Sequence, residues 1–408
     1  MKTFLVGGAV RDELLGVPFD ERDWVVVGST PEQMLAAGFQ QVGKDFPVFL
    51  HPISKEEYAL ARTERKKGVG YTGFEVHADA DVTLEQDLSR RDLTINAIAK
   101  SESGDVIDPY QGREDIERRV LRHVSPAFVE DPLRVIRVAR FAARYAHLGF
   151  TVAKPTMQLM SQIVAADELQ TLSAERVWRE TEKALATESP EVFFQVLQGC
   201  GALNVLFPEL QALFGVPQSA VSHPEIDCGV HSLMVLQQAS LLSKDTAVRY
   251  AALVHDLGKA VTAADHLPHH PGHEKATLPL LQALQQRIKV PNRHAQLAQV
   301  VARWHTTLHG LKDQDSENIL SMLTELGVFR QGGWLKEFVL CCEADSRGRS
   351  GFENQSYPQA DQLKDLAARC CRVTAAALIA DGVEGKAVGE ALRHQRLAVI
   401  DLFLAALK

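Results

Sequence analysis

Two acidic residues near the amino terminus, Glu21 and Asp23, have the types and the spacing of paired metal ligands. They lie two residues apart where a β-branched run starts, so we expect both carboxylates to point to the same side of a strand. Gly7 and Gly8 separate an apolar run from a helix-like segment, and backbone N–H groups can approach a phosphate at such a turn. Arg11 follows one turn later, with a guanidinium suited to phosphate oxygens. Paired carboxylates beside a phosphate-binding turn suit metal-dependent phosphoryl transfer.

Two strands and one helix must hold these residues. The apolar run Phe4–Val6 predicts a buried strand, and residues 9–15 predict a helix that Gly16 and Pro18 end. The β-branched run Trp24–Val27 predicts the second strand. Each part also has an ordinary explanation, because a Gly-Gly pair is usually a turn and two acids at a strand start are usually solvated. Their occurrence together within 25 residues favours the catalytic interpretation.

Histidines and aspartates recur through the second half of the chain, on segments that predict helices. Neutral imidazoles and carboxylates suit a divalent metal ion that activates water toward a phosphoester. The alternative is a set of scattered helix histidines, with Asp256 acting as a helix cap. The candidate metal ligands are His231, His255, Asp256, His273, His305 and Asp345.

Four arginines, Arg134, Arg137, Arg140 and Arg144, follow one another at spacings of 3, 3 and 4 residues with no acid among them. This spacing places them on one face of a helix, and Asp131 precedes a proline at the position of its cap. The alternative is a solvated surface. A locally basic face on a chain of net charge −8 is compatible with binding one RNA end rather than coating a duplex.

The composition is that of an ordinary globular protein. A chain of 408 residues predicts two or more domains, and its hydrophobic fraction of 46% and charged fraction of 24% are typical of soluble proteins. No signal peptide or membrane-spanning apolar run is visible, so we expect no membrane association. The six cysteines contain no CxxC motif, which favours reduced thiols and a cytoplasmic location.

Several stretches resemble one known family. LVGGAVRD and ERDW are similar to the head of the class II nucleotidyltransferases in the DNA polymerase β superfamily, and RRDLTIN, EDPLR and HDLGK extend the similarity along the chain. The sequence is identified as a member of the bacterial CCA-adding tRNA nucleotidyltransferases that carry an HD phosphohydrolase domain. The resemblance implies an α+β fold with a polymerase-β-like nucleotidyltransferase head followed by an all-α neck, body and HD domain. The implied domains are the head at 1–125, the neck and body with a base-selecting motif at 126–225, the HD domain at 226–350 and a helical tail at 351–408.

For the head, the resemblance implies addition of C, C and A to a tRNA 3′ end from CTP and ATP, without a nucleic-acid template. Glu21 and Asp23 would be catalytic and would hold Mg²⁺. Within EDPLR, Asp131 and Arg134 would offer an acceptor and a donor fork to a base edge. Residues 66–73, with three glycines, would form a flexible loop or an ordinary hairpin tip. The implied nucleotide-binding residues are Gly8, Arg11, Arg91, Asp92, Asp131, Arg134, Arg137 and Arg140.

For the HD domain, the resemblance implies a second, metal-dependent phosphohydrolase activity. This activity would include phosphatase, 2′-nucleotidase and 2′,3′-cyclic phosphodiesterase reactions. His255 and Asp256 would be catalytic, and the six candidate ligands would hold a divalent transition metal such as Ni²⁺. The family further implies a monomer or a weak homodimer.

The chain departs from the family at two positions. The family usually has Asp where this chain has Glu21, and an acid commonly stands where this chain has Thr306. The extra methylene of Glu moves its oxygens by about a bond length, and Mg²⁺ requires tight octahedral geometry. Nucleotide transfer would then be slower, or the local backbone would be shifted so that the longer side chain still reaches the metal ion. Two alternatives are therefore a tRNA-end-binding HD phosphohydrolase with a weakened head, and a poly(A) polymerase-like enzyme. Poly(A) polymerases typically have a basic C-terminal extension and no intact HD site, and this chain has neither trait.

Overall fold

The computed structural model describes residues 1–19, 21–42, 48–66, 74–77 and 79–407. The chain forms two compact units, one of residues 1–184 with 192–206 and one of residues 185–191 with 207–408. The flexible loop predicted for residues 66–73 lies, except for Lys66, outside the described residues. The finer division into four domains stays a prediction.

Within the residues that the structure describes, the strands all lie in the first unit. In chain order they are β1 (Lys2–Val6), β2 (Asp23–Val27), β3 (Gln40–Val42), β4 (Val48–Leu50), β5 (Glu57–Leu60), β6 (Thr63–Lys66), β7 (Phe74–His77), β8 (Ala99–Ser101), β9 (Val106–Ile107), β10 (Val120–Leu121) and β11 (Thr151–Val152). Seven of them form one sheet in the order β3-β4-β5-β2-β1-β8-β9. Strands β6 and β7 form an antiparallel pair, and β10 and β11 form a parallel pair.

Strands β1 and β2 lie at the centre of the large sheet and hold the first candidate site. They pair antiparallel, with Val6 opposite Asp23. Val25 and Val26 point to opposite faces of the sheet, and each joins a separate buried apolar cluster. Burying one such side chain stabilises the fold by about 1.5–3 kcal/mol. The strand is therefore anchored on both faces, and Asp23 is held beside the turn that follows β1.

The described part of the first unit also contains helices. They are α1 (Gly8–Leu15), α2 (Pro31–Ala36), α3 (Leu84–Ser89), α4 (Gly112–Glu117), α5 (Leu133–Tyr145), α6 (Lys154–Ala165), α7 (Ala174–Leu185), α8 (Glu191–Gly199) and α9 (Ala202–Leu206). Short 3-10 helices lie at Thr94–Asn96 and Pro126–Glu130. Helix α1 ends at Gly16, so the helix predicted over residues 9–15 is confirmed.

The second unit is all helical in the part of it that the structure describes. Its helices are α10 (Pro208–Gln211), α11 (Cys228–Leu242), α12 (Thr246–Val254), α13 (His273–Arg287), α14 (Asn292–His309), α15 (Ser316–Glu325), α16 (Leu335–Arg347), α17 (Gln359–Cys371), α18 (Ala375–Ala380) and α19 (Ala387–Leu407). Helices α11, α12 and α16 pack through Val235, Ala239, Ala252 and Ala344, whose small size permits close approach. The predicted α+β fold is confirmed. Among the described helices, none is both long enough and apolar enough to cross a membrane.

Candidate functional sites

The turn between β1 and α1 lies against Arg91. Gly7 has φ +68°, and a Cβ at this position would stand 2.8 Å from the Nη1 atom of Arg91. A side chain would therefore displace the guanidinium. Arg91 Nη1 also lies 3.4 Å from the carbonyl oxygen of Asn96. Gly8 then begins α1, so the predicted phosphate-binding turn carries a fixed cation beside it.

Asp23 lies opposite Val6, beside this turn, and Glu21 lies two residues before it in the chain. Asp23 begins the strand, whereas Glu21 precedes it, so the argument that strand alternation aligns the two carboxylates is wrong. The two groups nevertheless interact. Burial raises the pKa of Asp23, the Arg91 guanidinium lowers it and the Glu21 carboxylate raises it, which leaves this pKa above its ordinary value. A divalent cation would relieve the repulsion between the two carboxylates, so the pair fits a metal ion.

Arg11 points into the interior of the first unit and is 3% exposed. Its Nε atom lies 2.9 Å from Oδ1 of Asp12, and its Nη1 atom donates to the side-chain oxygen of Asn96. The guanidinium also lies 5.2 Å and 5.1 Å from the ring centres of Phe141 and Tyr145. These contacts anchor α1 to α5. Direct phosphate binding by Arg11 stays a prediction.

Asp87, which the sequence analysis did not select, holds both arginines of the RRDLTIN segment. Its side chain is fully buried. Oδ1 accepts a hydrogen bond from Arg90 Nη2 at 2.9 Å, and Oδ2 accepts one from Arg91 Nη2 at 3.3 Å. Burial raises the pKa of Asp87, but the two arginines lower it more, so it lies below its ordinary value. The spacing of three and four residues from Asp87, across the carboxyl end of α3, was the available sequence signal.

Asp92 is buried between two donors. Arg137 Nε donates to its Oδ2 atom at 2.8 Å, and Asn96 Nδ2 donates to its Oδ1 atom at 2.8 Å. Burial raises the pKa of Asp92, but Arg137 and Asn96 outweigh that effect and hold it well below its usual range. Asp92 therefore joins the RRDLTIN segment to α5 as an ionised group. Its contact with a nucleotide stays a prediction.

Two of the four arginines of α5, Arg134 and Arg140, are 9% and 8% exposed, so the alternative of a solvated surface is wrong for them, whereas the side chains of the other two are partly exposed. Arg134 donates from Nη1 to the carbonyl oxygen of Ala127 at 2.7 Å and from Nη2 to that of Arg90. Arg140 forms an ion pair with Glu180. These side chains therefore fasten α5 to its neighbours within the first unit.

Asp131 precedes α5 and contributes to its start. Its Oδ1 atom accepts a hydrogen bond from the Leu133 amide at 3.0 Å, and its Oδ2 atom lies 3.5 Å from Nη2 of Arg176. The N-cap of α5 is Pro132 rather than the predicted Asp131, so the predicted cap position is wrong by one residue, although Asp131 still accepts a hydrogen bond from the first amide of the helix. Selection of a base by Asp131 and Arg134 stays a prediction.

The four predicted histidine ligands of the second unit share one orientation. Each places Nδ1 against a backbone carbonyl oxygen, which leaves Nε2 to face a common centre. The distances from Nδ1 to the carbonyl oxygens are 3.0 Å for His231, 2.8 Å for His255, 2.8 Å for His273 and 3.0 Å for His305.

The two predicted aspartate ligands, Asp256 and Asp345, lie in contact with these histidines. Oδ1 of Asp345 lies 3.1 Å from Nε2 of His231, and its Oδ2 lies 3.6 Å from Nε2 of His255. Oδ1 of Asp256 lies 3.1 Å from Nε2 of His273. The same atom lies 3.4 Å from Nε2 of the fourth histidine. The structure therefore brings all six predicted ligands together.

Two buried atoms of the cluster, Nε2 of His255 and Oδ1 of Asp256, each lie 3.1 Å from a charged partner but form no hydrogen bond of good geometry within the described residues. The ligand atoms of His231, His255 and Asp256 also lie within 4.8 Å of one another. The donor set therefore fits a divalent metal ion.

The charge of the cluster supports the same assignment. Burial lowers the pKa of His255, but Asp256 and Asp345 raise it more, to about 10. The two carboxylates thus favour positive charge at the centre, which protons or a metal ion can supply.

Other charged or titratable residues also contact the predicted ligands, among them Lys259 and His309. Lys259 Nζ lies 2.6 Å from Oδ2 of Asp256, and His309 Nε2 lies 2.7 Å from Oδ2 of Asp345. Neither residue was predicted from the sequence, although Lys259 belongs to HDLGK and His309 lies four residues after His305 on the same helix face.

The departure at Thr306 has a local counterpart. The Thr306 hydroxyl donates a hydrogen bond to Oε1 of Glu274 at 2.7 Å. Oε2 of the same carboxylate lies 3.8 Å from Nδ1 of His273. Position 306 lacks an acid, but the neighbouring helix α13 places a carboxylate beside it.

Three family models match the chain. They are the poly A polymerase head domain at residues 3–122, the probable RNA and SrmB-binding site of polymerase A at residues 149–214, and the HD domain at residues 229–329. With the two sites above, they define a nucleotidyltransferase joined to an HD phosphohydrolase domain. Both domains imply dependence on divalent metal ions.

The chain is 58% identical over 400 residues to the multifunctional CCA protein of Thioalkalivibrio sulfidiphilus strain HL-EbGR7, with 98% of each chain covered. The chain belongs to this family of multifunctional CCA proteins, which confirms the identification made from its motifs. Its fold is similar to that of the Bacillus stearothermophilus CCA-adding enzyme in complex with CTP, with TM-score 0.62, 24% identity and coverage of 98% and 88%. It is also similar to the Thermotoga maritima CCA-adding enzyme complexed with tRNA, with TM-score 0.62, 18% identity and coverage of 100% and 92%.

Proposed function

We propose that this protein adds C, C and A to tRNA 3′ ends from CTP and ATP and hydrolyses phosphoesters at its HD centre. It would act in the cytoplasm as a monomer or a weak homodimer. The observation that carries the proposal is the 58% identity over nearly the full length of a multifunctional CCA protein. CCA-adding enzymes of the same fold have been solved with tRNA, with ATP and with CTP.

In the head, Glu21 and Asp23 would hold Mg²⁺, which when bound neutralises triphosphate charge and favours the attacking hydroxylate. Arg91 is the residue best placed to bind phosphate, because it lies against the Gly7 turn and is fixed by Asp87. In the transfer, the tRNA 3′ oxygen bonds to the α-phosphorus of the nucleotide and pyrophosphate leaves. The role of the protein residues in this step is to bind the nucleotide and the tRNA 3′ end and to hold them in the reacting orientation.

At the HD centre, the six clustered ligands would hold a divalent transition metal such as Ni²⁺, which when bound lowers the pKa of a water molecule. The four Nδ1–carbonyl contacts support this proposal, because they direct the Nε2 lone pairs at the centre in advance. The substrates would be phosphate monoesters and 2′,3′-cyclic phosphates. The Glu274 carboxylate beside Thr306 supports retention of this activity despite the departure at position 306.

One assay separates the proposed function from its alternatives. Purified protein with Mg²⁺ is given tRNA lacking its terminal CCA together with radiolabelled CTP or ATP, and a model phosphoester is tested in parallel with Ni²⁺. Addition of two C residues and then one A supports the proposal. A run of A residues without C indicates a poly(A) polymerase-like enzyme, and hydrolysis without any transfer indicates a tRNA-end-binding hydrolase. Asp23→Ala serves as the transfer-negative control.

A further inference from the structure

The HD cluster opens into a cavity of about 580 Å³ whose lining includes Arg349. The guanidinium of Arg349 contacts uncharged oxygens. Its Nε lies 2.9 Å from the carbonyl oxygen of Ser346, its Nη2 lies 3.3 Å from the hydroxyl of the same residue, and its Nη1 lies 3.2 Å from the carbonyl oxygen of Ser222. None of these partners neutralises its charge.

The other long cationic side chain of this cavity is already paired. Lys259 Nζ lies 2.6 Å from Oδ2 of Asp256 and 3.0 Å from Oε1 of Gln218. Arg349 differs because a guanidinium has five N–H donors, of which the three contacts above use three. Two donors remain, one on each Nη atom. That pair matches two oxygens of a phosphoryl group in bidentate geometry.

The segment that carries Arg349 is held firmly beside the predicted metal ligands. The carbonyl oxygen of Gly348 lies 3.0 Å from Nδ1 of His231. A Cβ on Gly348 would stand 2.5 Å from Cγ2 of Val235, so this close packing requires glycine. At the other end of the segment, Asp345 belongs to the metal-ligand cluster. The guanidinium is therefore positioned in advance, four residues after Asp345 and directly after the glycine whose carbonyl oxygen contacts His231.

We propose that Arg349 binds the phosphoryl oxygens of the HD substrate, and that this centre takes phosphate monoesters with inorganic phosphate retained at the same guanidinium as product. This inference rests on the hydrolase activity proposed above. In the reaction, the oxygen of water bonds to phosphorus and the P–O bond to the alcohol breaks. The alcohol takes a proton from the attacking water, and phosphate remains as the ligand of Arg349.

The test measures phosphate binding directly, with full-length protein loaded with Ni²⁺ and inorganic phosphate as the probe in calorimetry. Loss of a charge-assisted bidentate contact in Arg349→Gln should weaken phosphate binding roughly ten- to a hundredfold and raise KM for a phosphate monoester similarly. Arg349→Lys keeps the positive charge but loses the bidentate geometry of the guanidinium, so it should recover part of the affinity for phosphate. The affinity for Ni²⁺ should stay unchanged in both variants.

The matched control is Arg369→Gln, which removes one positive charge from the same unit at a surface pair with Asp365. Phosphate affinity unchanged in Arg349→Gln would overturn the inference. So would a loss of Ni²⁺ affinity that parallels the loss of phosphate affinity, because the role would then be structural. If the wild-type protein hydrolyses no phosphoester but binds phosphate through Arg349, the proposed hydrolase function fails and the phosphate site stands.

Discussion

Arg137 and Asp92 form an ion pair in which the guanidinium Nε and Nη2 atoms lie 2.8 Å and 2.7 Å from the same carboxylate oxygen, Oδ2. Both residues were predicted to contact nucleotide. A triphosphate that binds Arg137 must therefore share its guanidinium with Asp92, using the N–H donors of Arg137 that do not contact Asp92. Asp92 thereby sets the direction in which Arg137 points.

Replacing Asp92 with Asn should therefore affect both stability and nucleotide binding. Loss of a charged hydrogen-bond partner should lower the free energy of unfolding by about 2 kcal/mol, and release of Arg137 should raise KM for CTP. Urea denaturation and steady-state CTP incorporation measure the two effects. Glu117→Gln removes a similar charge from an exposed position of the same unit and serves as the control. Unchanged KM with unchanged stability would contradict the role given to this pair.

Replacing Asp131 should relax the choice between CTP and ATP. Asp131→Asn keeps an oxygen for the Leu133 amide but removes the charge, whereas Asp131→Ala removes both and should also lose about 1 kcal/mol of capping stability. If Asp131 reads a base edge, both variants should lose roughly tenfold or more in discrimination. Incorporation assays with GTP and UTP as competitors measure this. Full discrimination in folded Asp131→Ala would exclude the template assignment.

The sequence predicted the histidine centre better than the arginine contacts. His231 and Asp345 lie 114 residues apart, and their residue types together with the resemblance to the HD domain, rather than a local spacing, selected them. The partner of Arg144 is Asp12, which lies 132 residues away, and no local pattern reports a pairing of that kind. The prediction that strand alternation aligns the Glu21 and Asp23 side chains was wrong because β2 begins at Asp23. Side chains alternate between the two faces only within a strand, and Glu21 lies before it.

Glu21→Asp should raise the rate of CMP transfer with Mg²⁺. The shorter side chain matches the family pattern and places its oxygens closer to the tight geometry that Mg²⁺ requires. Mn²⁺ tolerates looser geometry and should narrow the difference between the two proteins. Single-turnover transfer with each metal measures the effect, with Glu117→Asp as the control. Lower activity in Glu21→Asp would show that the backbone before β2 is adapted to Glu.

Metal binding at the HD centre should strengthen as the pH rises. Burial lowers the pKa of His255, but Asp256 and Asp345 raise it to about 10, so the ring holds a proton at neutral pH when no metal is bound. A metal ligand must be neutral imidazole, so uptake of the ion releases that proton. Affinity for Ni²⁺ should therefore rise by up to about tenfold per pH unit for each proton released. Calorimetry in buffers of different ionisation enthalpy counts the protons, and a count of zero would contradict the prediction.

The two activities should be separable by mutation, because their residues belong to different compact units of the chain. His255→Ala combined with Asp256→Ala removes two clustered ligands at once, and both of these side chains are buried. Hydrolysis of a model phosphoester and binding of Ni²⁺ should then be abolished. CCA addition by the same protein should persist within about a few-fold, since the head contributes none of these ligands.

The converse variant completes this prediction. Asp23→Ala should silence nucleotide transfer, because one of two carboxylates that would hold Mg²⁺ is lost, and it should spare hydrolysis and Ni²⁺ binding. Circular dichroism and thermal melting of both variants check that each unit stays folded, which matters for Asp256 because it also pairs with Lys259. If the His255–Asp256 double variant loses both activities while its fold and melting are normal, the two centres are coupled. A shared centre would then have to replace the two-site assignment.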